Sequence, residues 1–179
     1  GELGWELYTA REWAVQVWDA LRAAGAEHGI EPFGYRALDA LRLEKGYRYY
    51  GTDLTALEIP DEAGLGAFVH PAKGPCIGRD ALLERRAAGP RQRLRTVVIG
   101  GAEYLPLYGG EAVRLDREIA GRLRSVAYGP TVRRTVGTVY LPPTVAEGMP
   151  VEIDLFDTRI GGTVAPDVLV DPSGARMRG

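Results

Sequence analysis

The chain has 179 residues, 22 basic against 24 acidic side chains, a net charge of −2 and 45% hydrophobic residues, enough for one core or two small cores joined by a linker. Neither sign of charge gathers into a block, which argues against a nucleic-acid partner, and no apolar run approaches the roughly 18 residues a membrane span needs. A single cysteine, Cys76, makes no internal disulfide, Cys76, His28 and His70 are too scattered for a metal set, and no signal-peptide pattern opens the chain, so a reducing, cytoplasmic setting is expected.

Gly1 to Tyr8 alternates apolar with other residues and predicts a strand, so the chain is expected to start inside an element. Thr9-Ala10-Arg11-Glu12 has the form of a capping box and predicts a helix after it. In that helix Ala14, Val17, Trp18, Leu21 and Ala24 form a stripe expected to pack on a sheet, with Gly25 or Gly29 ending it. A second helix is predicted over 35–45, with Leu38 and Leu41 inward and Arg36, Asp39 and Arg42 at three-residue spacing. Gly46 stops it. Residues 47–63 have no sustained period but carry Tyr47, Tyr49 and Tyr50, read first as a tyrosine-rich loop over the core and second as a stacking wall for a flat cofactor.

Ala63 to Val69 is a candidate strand, and 79–88 a third helix ending at Gly89-Pro90. The character of the chain changes there, giving expected domains of residues 1–89 and 90–179. Six β-rich runs follow: 94–99, 111–115, 119–126, 136–140, 151–155 and 160–168. Gly and Pro turns separate them, which predicts a small antiparallel barrel or sandwich behind an α+β first half.

No phosphate loop, dinucleotide fingerprint, zinc helix or nucleophile elbow is present. Asp39 and Glu44 would sit roughly 140° apart on a helix, too far round to pair as acid and base, and both are read as solvated or salt-bridged.

The informative feature is a series of phrases: Gly1-Glu2-Leu3-Gly4-Trp5-Glu6-Leu7-Tyr8, Arg36-Ala37-Leu38-Asp39-Ala40-Leu41-Arg42-Leu43-Glu44-Lys45-Gly46, Tyr50-Gly51-Thr52-Asp53-Leu54-Thr55, Glu62-Ala63-Gly64-Leu65-Gly66, Ile77-Gly78-Arg79-Asp80-Ala81-Leu82 and Tyr128-Gly129-Pro130-Thr131. In kind and order they resemble the folate-binding aminomethyltransferase family, the glycine cleavage T-protein and its relatives. The first phrase, Leu-Glu-Lys-Gly-Tyr-Arg and the closing Asp171-Pro172-Ser173-Gly174 resemble the folate-binding half of dimethylglycine and sarcosine dehydrogenases more than the free-standing T-protein.

The resemblance implies an α+β fold: the C-terminal portion of the folate-binding α+β domain, followed by a small antiparallel β-barrel. It implies tetrahydrofolate as cofactor, a small amine donor as partner, and transfer of a one-carbon unit from the amine to tetrahydrofolate. It places Glu6 where the family's glutamate grips the pterin ring, a task suited to two acceptor oxygens facing adjacent N–H groups. Strand alternation would put Tyr8 on the face of Glu6, as a second cofactor-binding candidate, and Leu3, Trp5 and Leu7 on the other.

FAD chemistry, in the dehydrogenase branch, would lie in an upstream domain. Many T-proteins carry an arginine directly before the aspartate of the second helix, where this chain has Leu38. The family's catalytic aspartate belongs to a region before Gly1, so no catalytic residue is assigned. The chain alone is expected to be inactive, to bind folate weakly if at all, and to self-associate or meet an upstream domain through its uncovered apolar surface. A non-catalytic folate-binding or structural module of the same fold is the alternative.

Overall fold

A computed structural model describes residues 3–178; Gly1 and Glu2, the first two residues of the predicted opening strand, lie outside the described residues. Three α-helices precede six strands: α1 (Ala14–Gly25), α2 (Tyr35–Glu44), α3 (Arg79–Ala88), then β1 (Arg93–Ile99), β2 (Ala112–Leu115), β3 (Glu118–Gly129), β4 (Arg134–Leu141), β5 (Pro150–Leu155) and β6 (Thr158–Ala165).

The six strands close into an antiparallel barrel in the order β1-β4-β3-β2-β5-β6, with β6 returning to β1. Closure follows from the sequence pattern. Alternate residues such as Val97 and Ile99, Val151 and Ile153 carry the apolar side chains, and these fill the interior with Val113, Leu123, Val139 and Val164. Every strand then has a partner on both sides, which removes exposed sheet edges. Each of the six predicted runs corresponds to an observed strand, with ends moved by a few residues.

The first half is helical, and several expectations for it are corrected. Residues 3–10 form no strand, because no neighbouring strand among the described residues offers them a ladder, and all are exposed. The capping box does not form: a single 3-10 turn, Arg11–Trp13, precedes α1, Ala10 is its N-cap, and no side chain caps it. Helix α1 exists over the predicted span but buries none of its residues; Trp18 and Leu21 lie exposed rather than packed on a sheet. The stripe is real, but nothing among the described residues covers it. Ala63 to Val69 is a turn followed by a 3-10 turn, Gly66–Phe68, not a strand.

Helix α2 is the element that joins the two halves, packing on β3 and β4. Its inward face is Ala40, Leu43 and Glu44, not the predicted Leu38 and Leu41, which are exposed. The face is rotated because Arg42 and Glu44, beside Leu43, make the contact with the barrel.

Candidate functional site

Arg42, on α2, has every nitrogen engaged. Nη1 donates to Asp53 Oδ2 at 2.5 Å and to the Tyr47 carbonyl at 3.1 Å, Nη2 to Ser125 Oγ at 2.9 Å on β3, and Nε to Asp39 Oδ1 at 3.0 Å. The Tyr49 ring lies under its guanidinium, 4.7 Å to the centroid. Asp53 is fully buried and also accepts from Thr138 Oγ1 on β4 at 2.6 Å and from the Tyr49 N–H at 2.8 Å. Burial alone would raise the Asp53 carboxyl pKa, but the Thr138 hydroxyl, the Tyr49 N–H, Ser125 and the Arg42 charge outweigh it and hold the pKa below the usual value.

The end of α2 is tied down as firmly. Glu44, expected to be solvated or salt-bridged, is instead 1% exposed. Its Oε1 accepts the N–H groups of Thr131 at 2.7 Å and Val132 at 3.0 Å, and its carbonyl those of Leu169 and Val170. Asp39 keeps its expected ion pair, with Arg42. Lys45 Nζ donates to the Asp171 carbonyl and to Asp171 Oδ2, both at 2.6 Å, and this ammonium, with the N–H groups of Ala175 and Arg176, pulls the Asp171 carboxyl down to about 2. Gly46, at φ +72°, runs so close to the Asp167 carbonyl that a Cβ would sit 2.5 Å from that oxygen. Gly129 makes room for Glu44 in the same way, since a Cβ there would meet Glu44 Oε1 at 2.7 Å. Three of the quoted phrases are therefore one clamp: Leu-Arg-Leu-Glu-Lys-Gly reaches Asp53 of the second and Gly129-Pro130-Thr131 of the last.

Against the outer face of α2 opens a cleft of about 790 Å³. Leu3, Trp5 and Glu6 form one side, Leu38 and Leu41 of α2 with Lys45 just past its end another, and Phe33, Tyr47, Val170 and Arg176 complete the rim. Glu6 thus borders a cleft beside aromatic side chains. Tyr8, 90% exposed, does not line the cleft, but its hydroxyl donates to Glu6 Oε2 at 2.5 Å, and that bond raises the Tyr8 pKa. Oε1 of Glu6 has no partner among the described residues. Since no strand forms here, the expected separation of faces fails: Leu3 and Trp5 border the same cleft as Glu6.

Tyr47 is half-exposed on the rim of this cleft, whereas Tyr49 and Tyr50 border a second cleft on the far side of Arg42, so the three tyrosines are not one core-covering loop. No group of three or more His, Cys, Asp or Glu among the described residues could hold a metal ion. The sequence reading missed Arg42, Asp53 and the Lys45–Asp171 pair. The one available signal was a charged residue, Arg42, beside the leucines of an amphipathic helix.

Two family models match the chain: the GCVT N-terminal domain over residues 1–73, and the glycine cleavage T-protein C-terminal barrel domain over residues 92–171. The chain belongs to the glycine cleavage T-protein family. Among its relatives, the mitochondrial sarcosine dehydrogenase of Mus musculus is 38% identical over 191 residues, which take in 100% of this chain and 20% of that protein. The mitochondrial dimethylglycine dehydrogenase of Homo sapiens is 35% identical over 99% of this chain and 21% of its own length. An aminomethyltransferase of Geobacillus thermodenitrificans is 36% identical over 93% of this chain and 46% of its own. The crystal structure of the glycine cleavage system aminomethyltransferase T from Bartonella henselae superposes with a TM-score of 0.78 at 25% identity, covering 88% of this chain and 44% of that one. The chain spans about one fifth of the dehydrogenases it matches and under half of the aminomethyltransferases. In this member of the T-protein family, the clamp joins phrases from the two matched domains: they are the surfaces by which helix and barrel meet.

Proposed function

We propose that this chain supplies part of a tetrahydrofolate site in an aminomethyltransferase-type protein, with Glu6 holding the edge of the pterin ring and Tyr8 orienting Glu6. The complete protein would move a one-carbon unit from an amine to tetrahydrofolate. The observation that carries the reading is the position of Glu6. Its carboxylate stands on the rim of a cleft edged by Trp5, Phe33 and Tyr47, with one oxygen held by the Tyr8 hydroxyl and the other open. A pterin offers what that arrangement takes: a flat face for the aromatic rim and adjacent N–H donors for a carboxylate.

One observation favours a binding role over chemistry for this chain. The carboxylates that border the cleft are Glu6 and Glu44, and Glu44 is committed to the backbone N–H groups of Thr131 and Val132. A general base needs a lone pair within reach of the reacting proton, and Glu44 is 1% exposed with its Oε1 held by two backbone N–H groups. The chain therefore contributes grip and orientation, and the base that drives transfer comes from elsewhere in the complete protein.

The test is a nuclear magnetic resonance titration with tetrahydrofolate, following the amides of residues 4–8 and 38–45 in the wild type and in Glu6→Gln. Shifts in both segments that shrink in Glu6→Gln are expected. Identical shifts in the two proteins remove Glu6 from the site, and no shift in either segment removes the site.

A further inference from the structure

A second cleft, of about 490 Å³, lies where α2, the turn carrying Tyr49 and Tyr50, the loop carrying Tyr108 and strand β3 meet. We propose that it binds an aromatic ring bearing a carboxylate, with Arg124 taking the acid group and Tyr50 and Tyr108 flanking the ring.

The residues of this cleft divide into a fixed base and an open mouth. Arg42 and Tyr49 form the base, and four of the five N–H groups of Arg42 are already engaged, which leaves it little to offer a ligand. Arg124 differs. Its Nη2 donates to Glu58 Oε1 at 2.9 Å, and its Cζ lies over the Tyr140 ring, 5.3 Å from the centroid, which together restrain the side chain. A guanidinium has more N–H groups than that bond uses, and among the described residues the others of Arg124 have no partner. Its side chain is also over one third exposed, so those donors are reachable. A planar fork with donors to spare matches a carboxylate better than a point charge would.

The flanking residues select a ring. Tyr50 and Tyr108 stand largely exposed at the mouth, and the Tyr108 loop is pinned because Glu111 accepts the N–H groups of both Tyr108 and Gly109. Exposed tyrosines on held backbone cost little entropy to engage, and they stack on or edge against a flat ligand.

Two sources carry this chemistry: the aminobenzoylglutamate part of tetrahydrofolate, which rests on the proposed function above, and a free aromatic acid, which does not. The experiment titrates wild type, Glu6→Gln, Arg124→Gln and Tyr108→Ala with p-aminobenzoylglutamate, benzoate and tetrahydrofolate, following tyrosine ring and arginine side-chain resonances. Tyr108→Ala guards against a folding artefact, since Tyr108 is exposed while Arg124 also supports Glu58. Binding of p-aminobenzoylglutamate is expected to weaken about tenfold in Arg124→Gln and measurably in Tyr108→Ala, and to be unchanged in Glu6→Gln. If Arg124→Gln weakens tetrahydrofolate as well, the cleft takes the folate tail. If it weakens only the small acids, the ligand is a free aromatic acid. Small-acid binding that depends on Arg124, with no tetrahydrofolate binding at all, sinks the proposed function and leaves this site standing. Equal binding by wild type, Arg124→Gln and Tyr108→Ala, or no binding of either small acid, overturns it.

Discussion

Replacing Asp53 by alanine should loosen helix α2 from the barrel. Asp53 is 0% exposed and meets three groups from three elements: Arg42 of α2, Thr138 of β4 and the Tyr49 N–H of the intervening turn. Its loss leaves a nearly buried guanidinium facing a cavity and strips the Thr138 hydroxyl and the Tyr49 N–H of an acceptor. Removing one partner of a buried ion pair costs about 3–5 kcal/mol. Arg42 keeps Asp39 and Ser125, so the lower end, about 3 kcal/mol, applies. With a urea m-value of about 2 kcal/mol/M, the midpoint of circular-dichroism unfolding should fall by about 1.5 M. The double variant Arg42→Leu/Asp53→Leu should lose less than the sum of its singles, because no charge is left unpaired. A midpoint for Asp53→Ala within experimental error of the wild type, or strictly additive singles, would refute the clamp.

Four further outcomes follow. Gly46→Ala should cost about 2–4 kcal/mol in urea unfolding, since its φ of +72° disfavours a side chain and the added Cβ would press on the Asp167 carbonyl. Glu6→Gln should leave stability within about 0.5 kcal/mol of wild type, because Glu6 is exposed. In an ultraviolet titration of phenolate absorbance, the same variant should lower the Tyr8 pKa toward the ordinary 10.0, since the bond to Glu6 is the main cause of its rise. Asp171 titrates near 3.8 unfolded and about 2 folded, so its pairing with Lys45 stabilises fully above pH 3.8 and is lost as pH falls through about 2. In Lys45→Met the loss of stability between pH 3.8 and about 2 should shrink, and an unchanged acid-unfolding profile would show that the pair contributes nothing.

The barrel was legible because its signal is local: period-two runs with Gly and Pro turns at each end dictate strands, and six such runs have few ways to cover their edges other than closure. Helix α3 was legible to the residue, since Gly78 and Gly89-Pro90 punctuate it. Helix faces were not. The leucine spacing of α2 pointed Leu38 and Leu41 inward, yet the partner surface on β3 and β4 presents Ser125 and Thr138, and these call for Arg42 and Asp53. Which face of an amphipathic helix is buried depends on what stands opposite, information held some 80 residues away in the chain. Glu44 was misread for the same reason, as its partners are backbone N–H groups at Thr131 and Val132 that leave no mark on composition. The opening segment read as a strand because alternation reports only that a segment could form one face of a sheet, while a strand exists only where another strand meets it. Glu6 became a candidate through the resemblance alone, since an exposed glutamate in isolation carries no signal, and Tyr8 followed from it by strand alternation.

The most direct measurement of the central claim is a crystal structure of the protein carrying this chain with tetrahydrofolate bound. The account predicts the pterin edge within hydrogen-bonding distance of the Glu6 carboxylate, with Tyr8 still donating to it and the ring against the cleft rim. A pterin bound elsewhere, with Glu6 left facing solvent, would contradict it.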